Sequence, residues 1–165
     1  FDVIGGKTAV LFSAAAAAGI EITGAPAAQV EAMRVYGMEL GMAFQIMDDA
    51  LDYTASAEQM GKNAGDDFVD QKITLPTILA WQDGDAEEHA FWQRTLGEAD
   101  FAKGDLEHAQ ALLTAHDAVN RSVTVAHDHA VKAGAALAPF IGDKRTAPLA
   151  RALADAALFA AHRAS

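Results

Sequence analysis

The chain has 165 residues, with 12 Lys and Arg against 23 Asp and Glu and a formal net charge of −11. That length suits one domain with a core of its own, and so acidic a balance excludes a protein built to grip nucleic-acid phosphates. Cysteine is absent, which rules out disulfides and thiolate metal sites and fits a reducing cytoplasm.

Composition also points to a fold class. Thirty-nine alanines favour helix, and two Trp, two Tyr and a modest set of Val, Ile and Thr leave little to build a sheet. The expectation is an all-α bundle of six or seven helices. The most apolar early stretch, Ala9 to Ile20, is too short and too Ala-rich for a membrane span. Phe1-Asp2-Val3-Ile4-Gly5-Gly6 has no initiating Met, basic leader or cleavage site. It reads like the middle of a protein, so the chain is expected to be a fragment.

In chain order, the first helix is expected from Lys7 to Gly19, with Gly19 just past its end. A turn follows at Gly24-Ala25-Pro26. From Ala27 to Tyr53, Val30, Met33, Tyr36, Leu40, Phe44, Met47 and Leu51 recur at three- and four-residue steps, one long amphipathic helix. Gly37 and Gly41 share a face of it and would admit a close neighbouring backbone. Thr54 to Lys72 reads as a loop. A helix then starts at Ile73-Thr74-Leu75-Pro76, where Pro is tolerable in the first turn, and ends by Gly84. Further helices are expected from Asp85 or Ala86 to Gly97, at 105–116 with Asp105 as N-cap, at 118–139, and at 146–163 with Pro148 at its start.

The chemistry concentrates in Phe44-Gln45-Ile46-Met47-Asp48-Asp49-Ala50-Leu51-Asp52-Tyr53. On a helix Asp48 and Asp52 share a face, Asp49 lies one step round, and Gln45 projects beside them. Like charges at this spacing cost a bare helix a few tenths of a kcal/mol per pair, which a cation would remove. Three aspartates alone fit either a solvated acidic face or a site for a hard ion such as Mg²⁺. The next stretch bears on that choice. Asp48 to Asp70 holds seven acids and one base, Lys62, so more than half of the net charge sits there, with Lys72 just beyond. Carboxylates for metal and lysines for phosphate are the combination that diphosphate chemistry needs. Gly6-Lys7-Thr8 could end a phosphate-binding P-loop, but the required first glycine would fall at Phe1, so that motif fails. A Lys and a Thr in the first turn of a helix still offer an oxyanion grip.

Taken together, Gly6-Lys7-Thr8-Ala9, Leu11-Phe12, Tyr36-Gly37, Leu40-Gly41, Phe44-Gln45-Ile46, Asp48-Asp49, Leu51-Asp52-Tyr53, Gly61-Lys62-Asn63, Gly65-Asp66-Asp67, Lys72 and Thr74-Leu75-Pro76 resemble the C-terminal half of a trans-polyprenyl diphosphate synthase. Asp48-Asp49-x-x-Asp52 resembles that family's second aspartate-rich motif. Phe91-Trp92 and Gly104-Asp105-Leu106 resemble the long-chain bacterial branch (octaprenyl and decaprenyl), which makes quinone side chains.

The resemblance implies a homodimeric enzyme that joins isopentenyl diphosphate to an allylic diphosphate. Mg²⁺ helps the allylic diphosphate leave, the homoallylic double bond attacks the cation, and a proton is lost. By the same resemblance Asp48 is the direct Mg²⁺ ligand, with Asp49 and Asp52 completing or hydrating the site and Asp66 or Asp67 outer-sphere. Lys7 and Lys62 would grip the allylic diphosphate, with Thr8 and Gln45 as hydrogen-bonding neighbours, Phe44 on the homoallylic side and Lys72 as a further phosphate-side cation. The family's first aspartate-rich motif and its isopentenyl diphosphate site are not in this sequence, so the chain alone is expected to be inactive.

A short-chain synthase, making farnesyl or geranylgeranyl diphosphate, is the alternative within the family. A non-catalytic regulatory subunit of the same fold is the alternative outside catalysis, and the intact motif residues speak against it. His127 and His129 lie about 200° apart on a helix and cannot chelate together. His89, His108, His116 and His162 are expected on solvent-facing sides, and Trp81, Phe91 and Trp92 in the core. The Ala14 to Ala18 face suits either a dimer contact or core packing.

Overall fold

In the computed structural model, residues 1–54 and 65–162 are described, and no strand occurs among them. The chain divides into two compact units, one formed by Phe1–Met47 with Thr124–Ser165 and the other by Asp48–Val123. The all-α expectation holds. Among the described residues two short helices, at 66–69 and 138–141, add to the six or seven expected.

In the first unit, α1 runs Asp2–Glu21, with a wider π turn over Gly5–Ala9. Gly19 lies inside this helix and does not end it, because at negative φ it behaves as an ordinary helical residue. The left-handed turn is made instead by Gly24, at φ +73°. Pro26 starts α2, Ala27–Leu51, by accepting from the amides of Gln29 and Val30. The two glycines explain how α1 and α2 pack. A Cβ on Gly37 would lie 2.4 Å from the Phe12 carbonyl oxygen, and one on Gly41 would lie 2.6 Å from the Ala9 Cα. The Ser13 hydroxyl donates to the Arg34 carbonyl at 2.9 Å, so the contact is polar as well as close.

The alanine-rich composition serves the same unit. Along α7, Ala118–Ala136, and α9, Ala147–Ala160, the buried positions include Ala126, Ala130, Ala133, Ala150 and Ala157. Small side chains let helices approach, and polar ties sit between them. Tyr36 donates its hydroxyl to the Leu153 carbonyl at 2.9 Å, and His129 pairs with Glu39 at 2.6 Å. The sequence predicts a single helix to Pro139; the chain instead breaks at Leu137 and restarts as α8, Ala138–Ile141. Pro139 has no N–H for the preceding turn, which ends α7. The α1 helix is longer than the apolar stretch expected from sequence. By length and composition this 20-residue helix could cross a membrane, since an 18-residue window within it has mean hydropathy 1.6. Ala9, Ser13 and Ala17 are buried within it.

In the second unit, four further helices among the described residues surround an aromatic core: α3, Asp66–Val69; α4, Leu75–Asp83; α5, Ala86–Trp92 with a π turn at Gln93–Gly97; and α6, Asp105–Ala115. The core collects Tyr53, Phe68, Phe91, Trp92, Leu112 and Leu113. Phe68 stacks on Phe91 and meets Trp92 edge-on, both at 6.3 Å between centroids. Trp81 is a correction to the core expectation: it is 40% exposed and stacks on His89 at 4.4 Å. His116 is not solvent-side either, since it pairs with Glu88 at 2.8 Å.

Asp85 caps α5, accepting from the Glu87 and Glu88 amides. Asp105 does not cap α6. Gly104, at φ +95°, takes that position, and Asp105 turns to Arg94 in a two-pronged pair at 2.8 and 2.9 Å. The Arg94 guanidinium and the Ala102 amide lower the Asp105 pKa from 3.8 to about 2. A lowered carboxylate pKa adds stability above the unfolded value, which is lost as pH falls toward the folded one. Parent protein is therefore expected to lose stability between about pH 4 and pH 2 more steeply than Asp105→Asn. Thermal unfolding across that window tests it; parallel curves would remove the Asp105–Arg94 pair from the account.

Candidate active site

The register set by Gly37 and Gly41 carries on for one more turn. Phe12 and Ser13 face Gly37, Ala9 faces Gly41, and the next pair up is Thr8 and Gln45. The Thr8 hydroxyl donates to the Gln45 side-chain oxygen at 2.8 Å. Lys7 and Thr8 lie in the π turn, whose two leading glycines, Gly5 and Gly6, have open space around them. Such turns interrupt an α-helix to re-aim side chains and recur at functional sites. Lys7 is exposed and Thr8 half-buried. Phe44 is half-buried, its ring 5.6 Å from that of Phe12.

In the second unit, Asp48 is half-buried, while Asp49 and Asp52 are only 7% and 6% exposed. The helical turn continues to Asp52, whose amide donates to the Asp48 carbonyl. Asp52 then ties down the residues after the undescribed stretch. Its carbonyl accepts from the Gly65 amide at 2.8 Å, and its Oδ2 accepts from the Asp67 amide at 2.9 Å. Asp66 is exposed.

Lys72 donates to Asp67 at 2.8 Å and pairs with Asp70 at 3.0 Å. Its hydrogen bonds to those two carboxylates raise its pKa well above the ordinary lysine value. Tyr53 is buried beside these acids, and loss of solvent pushes its phenol above the ordinary 10. Lys62 lies outside the described residues.

Among the described residues no group of three His, Asp or Glu side chains is placed to hold a metal by itself. A cavity of about 280 Å³ lined by Ile73, Ile78, Trp81, Trp92 and Leu96 lies in the second unit, and one of about 390 Å³ lies in the first. None of the candidate residues lines either one.

Residues 1–113 match the polyprenyl synthetase family. The chain belongs to that family. It is 37% identical over 131 residues to the octaprenyl diphosphate synthase of Haemophilus influenzae, covering 79% of this chain and 40% of that protein. Two crystal structures superpose on nearly all of it. A decaprenyl diphosphate synthase from Rhodobacter capsulatus is 44% identical with a TM-score of 0.88, covering 99% of this chain and 49% of the other. A polyprenyl synthase from Caulobacter crescentus, complexed with calcium and isoprenyl diphosphate, is 42% identical with a TM-score of 0.89, covering 99% and 48%. The chain thus spans about 40% of the curated relative and about half of each solved structure.

These long-chain relatives agree with the branch that the sequence resembles. Within this polyprenyl synthetase chain, three features escaped the sequence reading. The π turn has one visible signal, the Gly5-Gly6 pair. The Asp52 link to the Asp67 amide has none, because it joins residues 15 apart through a backbone group. The pairing of Lys72 with Asp67 and Asp70 was visible as nearby opposite charges, yet the same residues suit a phosphate grip equally well.

Proposed function

We propose that the whole protein containing this chain is a Mg²⁺-dependent prenyltransferase, which extends an allylic diphosphate with isopentenyl diphosphate to a long-chain polyprenyl diphosphate for quinone side chains. Its setting is the cytoplasm, and its assembly a homodimer. The long-chain product is supported by the octaprenyl and decaprenyl relatives. The cysteine-free sequence supports the compartment. Exposed Val3, Val10 and Leu11 on α1 supply apolar surface that a second subunit would cover.

One observation carries the reading: in a polyprenyl synthetase chain, Thr8 and Gln45 are joined by a hydrogen bond next to Lys7. Lys7 would meet the diphosphate as an exposed ammonium, favouring negative charge as it builds on the departing oxygen. The Thr8–Gln45 bond holds both side chains in one orientation, so no reordering is needed when substrate binds. Phe44 adds an apolar wall for the homoallylic chain.

The aspartates fit a magnesium ion by donor chemistry. They offer only oxygen, and magnesium keeps several waters and substrate oxygens and takes one or two carboxylates, so no three-ligand cage is required. Asp48 would hold it, with Asp49 beside it on α2. A bound magnesium ion supplies positive charge to the leaving diphosphate.

Thr8→Val in the whole protein is expected to lower kcat/KM about tenfold, the scale of one hydrogen bond to a charged substrate or its partner. Thr8→Ser should retain most of it. Steady-state kinetics of both variants decides, and parent-level values for Thr8→Val would overturn the role given to this pair.

A further inference from the structure

Asp52 stands one turn beyond Asp48 and carries the same chemical group, yet its surroundings differ. Its Oδ2 accepts the Asp67 amide at 2.9 Å, its own carbonyl accepts the Gly65 amide at 2.8 Å, and its side chain is buried. Asp67 passes the restraint on. Its carboxylate takes the Lys72 ammonium at 2.8 Å, and its carbonyl takes the Lys72 amide at 2.8 Å. Asp70 holds the same ammonium from the other side.

Two backbone features lie in the same turn. Gly65 sits at φ +86°, where an added Cβ would lie 2.3 Å from Leu106 Cδ1. Gln71 is held at φ +56°, which a residue with a side chain rarely adopts unless its neighbours enforce it.

We propose that Asp52 is a positioning residue: with Asp67 and Lys72 it forms a relay that fixes the turn from Gly65 to Lys72, and it is not a metal carboxylate. One Asp52 oxygen is committed to a backbone donor, and the charge of Lys72 is spent on two carboxylates. The relay leaves Asp48 to meet the metal and Asp66 as the exposed acid on the fixed turn. This rests on the functional reading above only in assigning the metal to Asp48.

The two roles predict opposite signs in the metal-free protein. If Asp52 were a metal ligand, Asp52→Ala would remove a like charge one turn from Asp48, and stability in a chelator would hold or rise. As a positioning residue, its loss leaves a backbone donor without a partner, and the melting temperature falls by about 3–6 °C. Asp52→Asn keeps an acceptor oxygen and should restore the parent melting temperature in chelator.

Calorimetric titration of the whole protein with Mn²⁺ as the probe gives the second readout. Asp52→Asn should bind Mn²⁺ within about threefold of parent, and Asp48→Asn at least tenfold more weakly. An Asp52→Ala protein as stable as parent in chelator overturns the proposal, as does an Asp52→Asn protein whose Mn²⁺ affinity falls as far as that of Asp48→Asn. Normal Mn²⁺ affinity in Asp48→Asn, with Asp52→Ala still destabilised, would count against the functional reading and leave the relay standing.

Discussion

Asp48→Ala in the whole protein is expected to lower kcat by about 10²–10³-fold, the loss usual when one preorganised stabiliser of a leaving group is removed. The three aspartates are not equivalent. Asp49 is almost fully buried, and Asp52 is buried with an oxygen on the Asp67 amide. Asp48 keeps partial access to solvent on the same helix. It is therefore the carboxylate best able to share an ion with water and substrate oxygens.

Stability should respond in the opposite direction. Asp48 and Asp52 are like charges one turn apart, so losing one relieves a few tenths of a kcal/mol. The Asp48→Ala enzyme should thus fold as well as parent while turning over far more slowly. Turnover measured over a magnesium series, beside thermal unfolding, separates the two effects. Near-normal turnover would remove the central assignment of the site.

The second large effect concerns Gly37 and Gly41. In an ordinary helix interior, Gly→Ala gains about 0.5–1 kcal/mol. Here the sign should reverse. The new Cβ would fall 2.4 Å from the Phe12 carbonyl oxygen at position 37 and 2.6 Å from the Ala9 Cα at position 41. Those neighbours are backbone atoms and cannot swing aside, so α1 must move as a body.

Overpacking of this kind costs about 1–3 kcal/mol and occasionally more, and Gly37→Ala should lie at the upper end. Gly19→Ala is the internal control, because nothing lies within 4 Å of its added Cβ, and it should be neutral or stabilising. Displacing α1 also pulls Thr8 from Gln45, so Gly41→Ala should lose activity beyond its loss of stability. Thermal unfolding of the three variants checks the signs; a stabilised Gly37→Ala would show that the helices are not in this contact.

Those two glycines also show what could be read from the residues alone. Their four-residue spacing on an otherwise apolar helix face announced a close approach before the partner was known. The long helix carrying Gln45 and Asp48 and the Pro-led starts of α4 and α9 were legible for the same reason, since each depends on neighbours within a turn or two. Long-range choices were not. Asp105 has the chemistry of an N-cap, but Arg94 offers it a two-pronged charged partner, and Gly104 can adopt the φ of +95° found at the cap.

The site divides along the same line. Thr8 is legible as part of a helix-start oxyanion grip and Gln45 as a neighbour of the aspartates, and the glycine register supplies the physical reason they meet. Asp52 is legible by its helical spacing and Lys72 by its place beside the acidic stretch, yet their partners lie in a turn whose shape no local pattern announces. A carboxylate in a motif shows the type of group available; only its neighbours show whether it holds a metal or a backbone amide.

The most direct test of the account is a product assay on the whole protein with radiolabelled isopentenyl diphosphate, an allylic diphosphate and magnesium, in parent and Asp48→Ala forms. Magnesium-dependent formation of long-chain polyprenyl diphosphate is expected from the parent, with a loss of about 10²–10³-fold in the variant. Failure of the parent to condense the two diphosphates, or equal yields from both proteins, would contradict it.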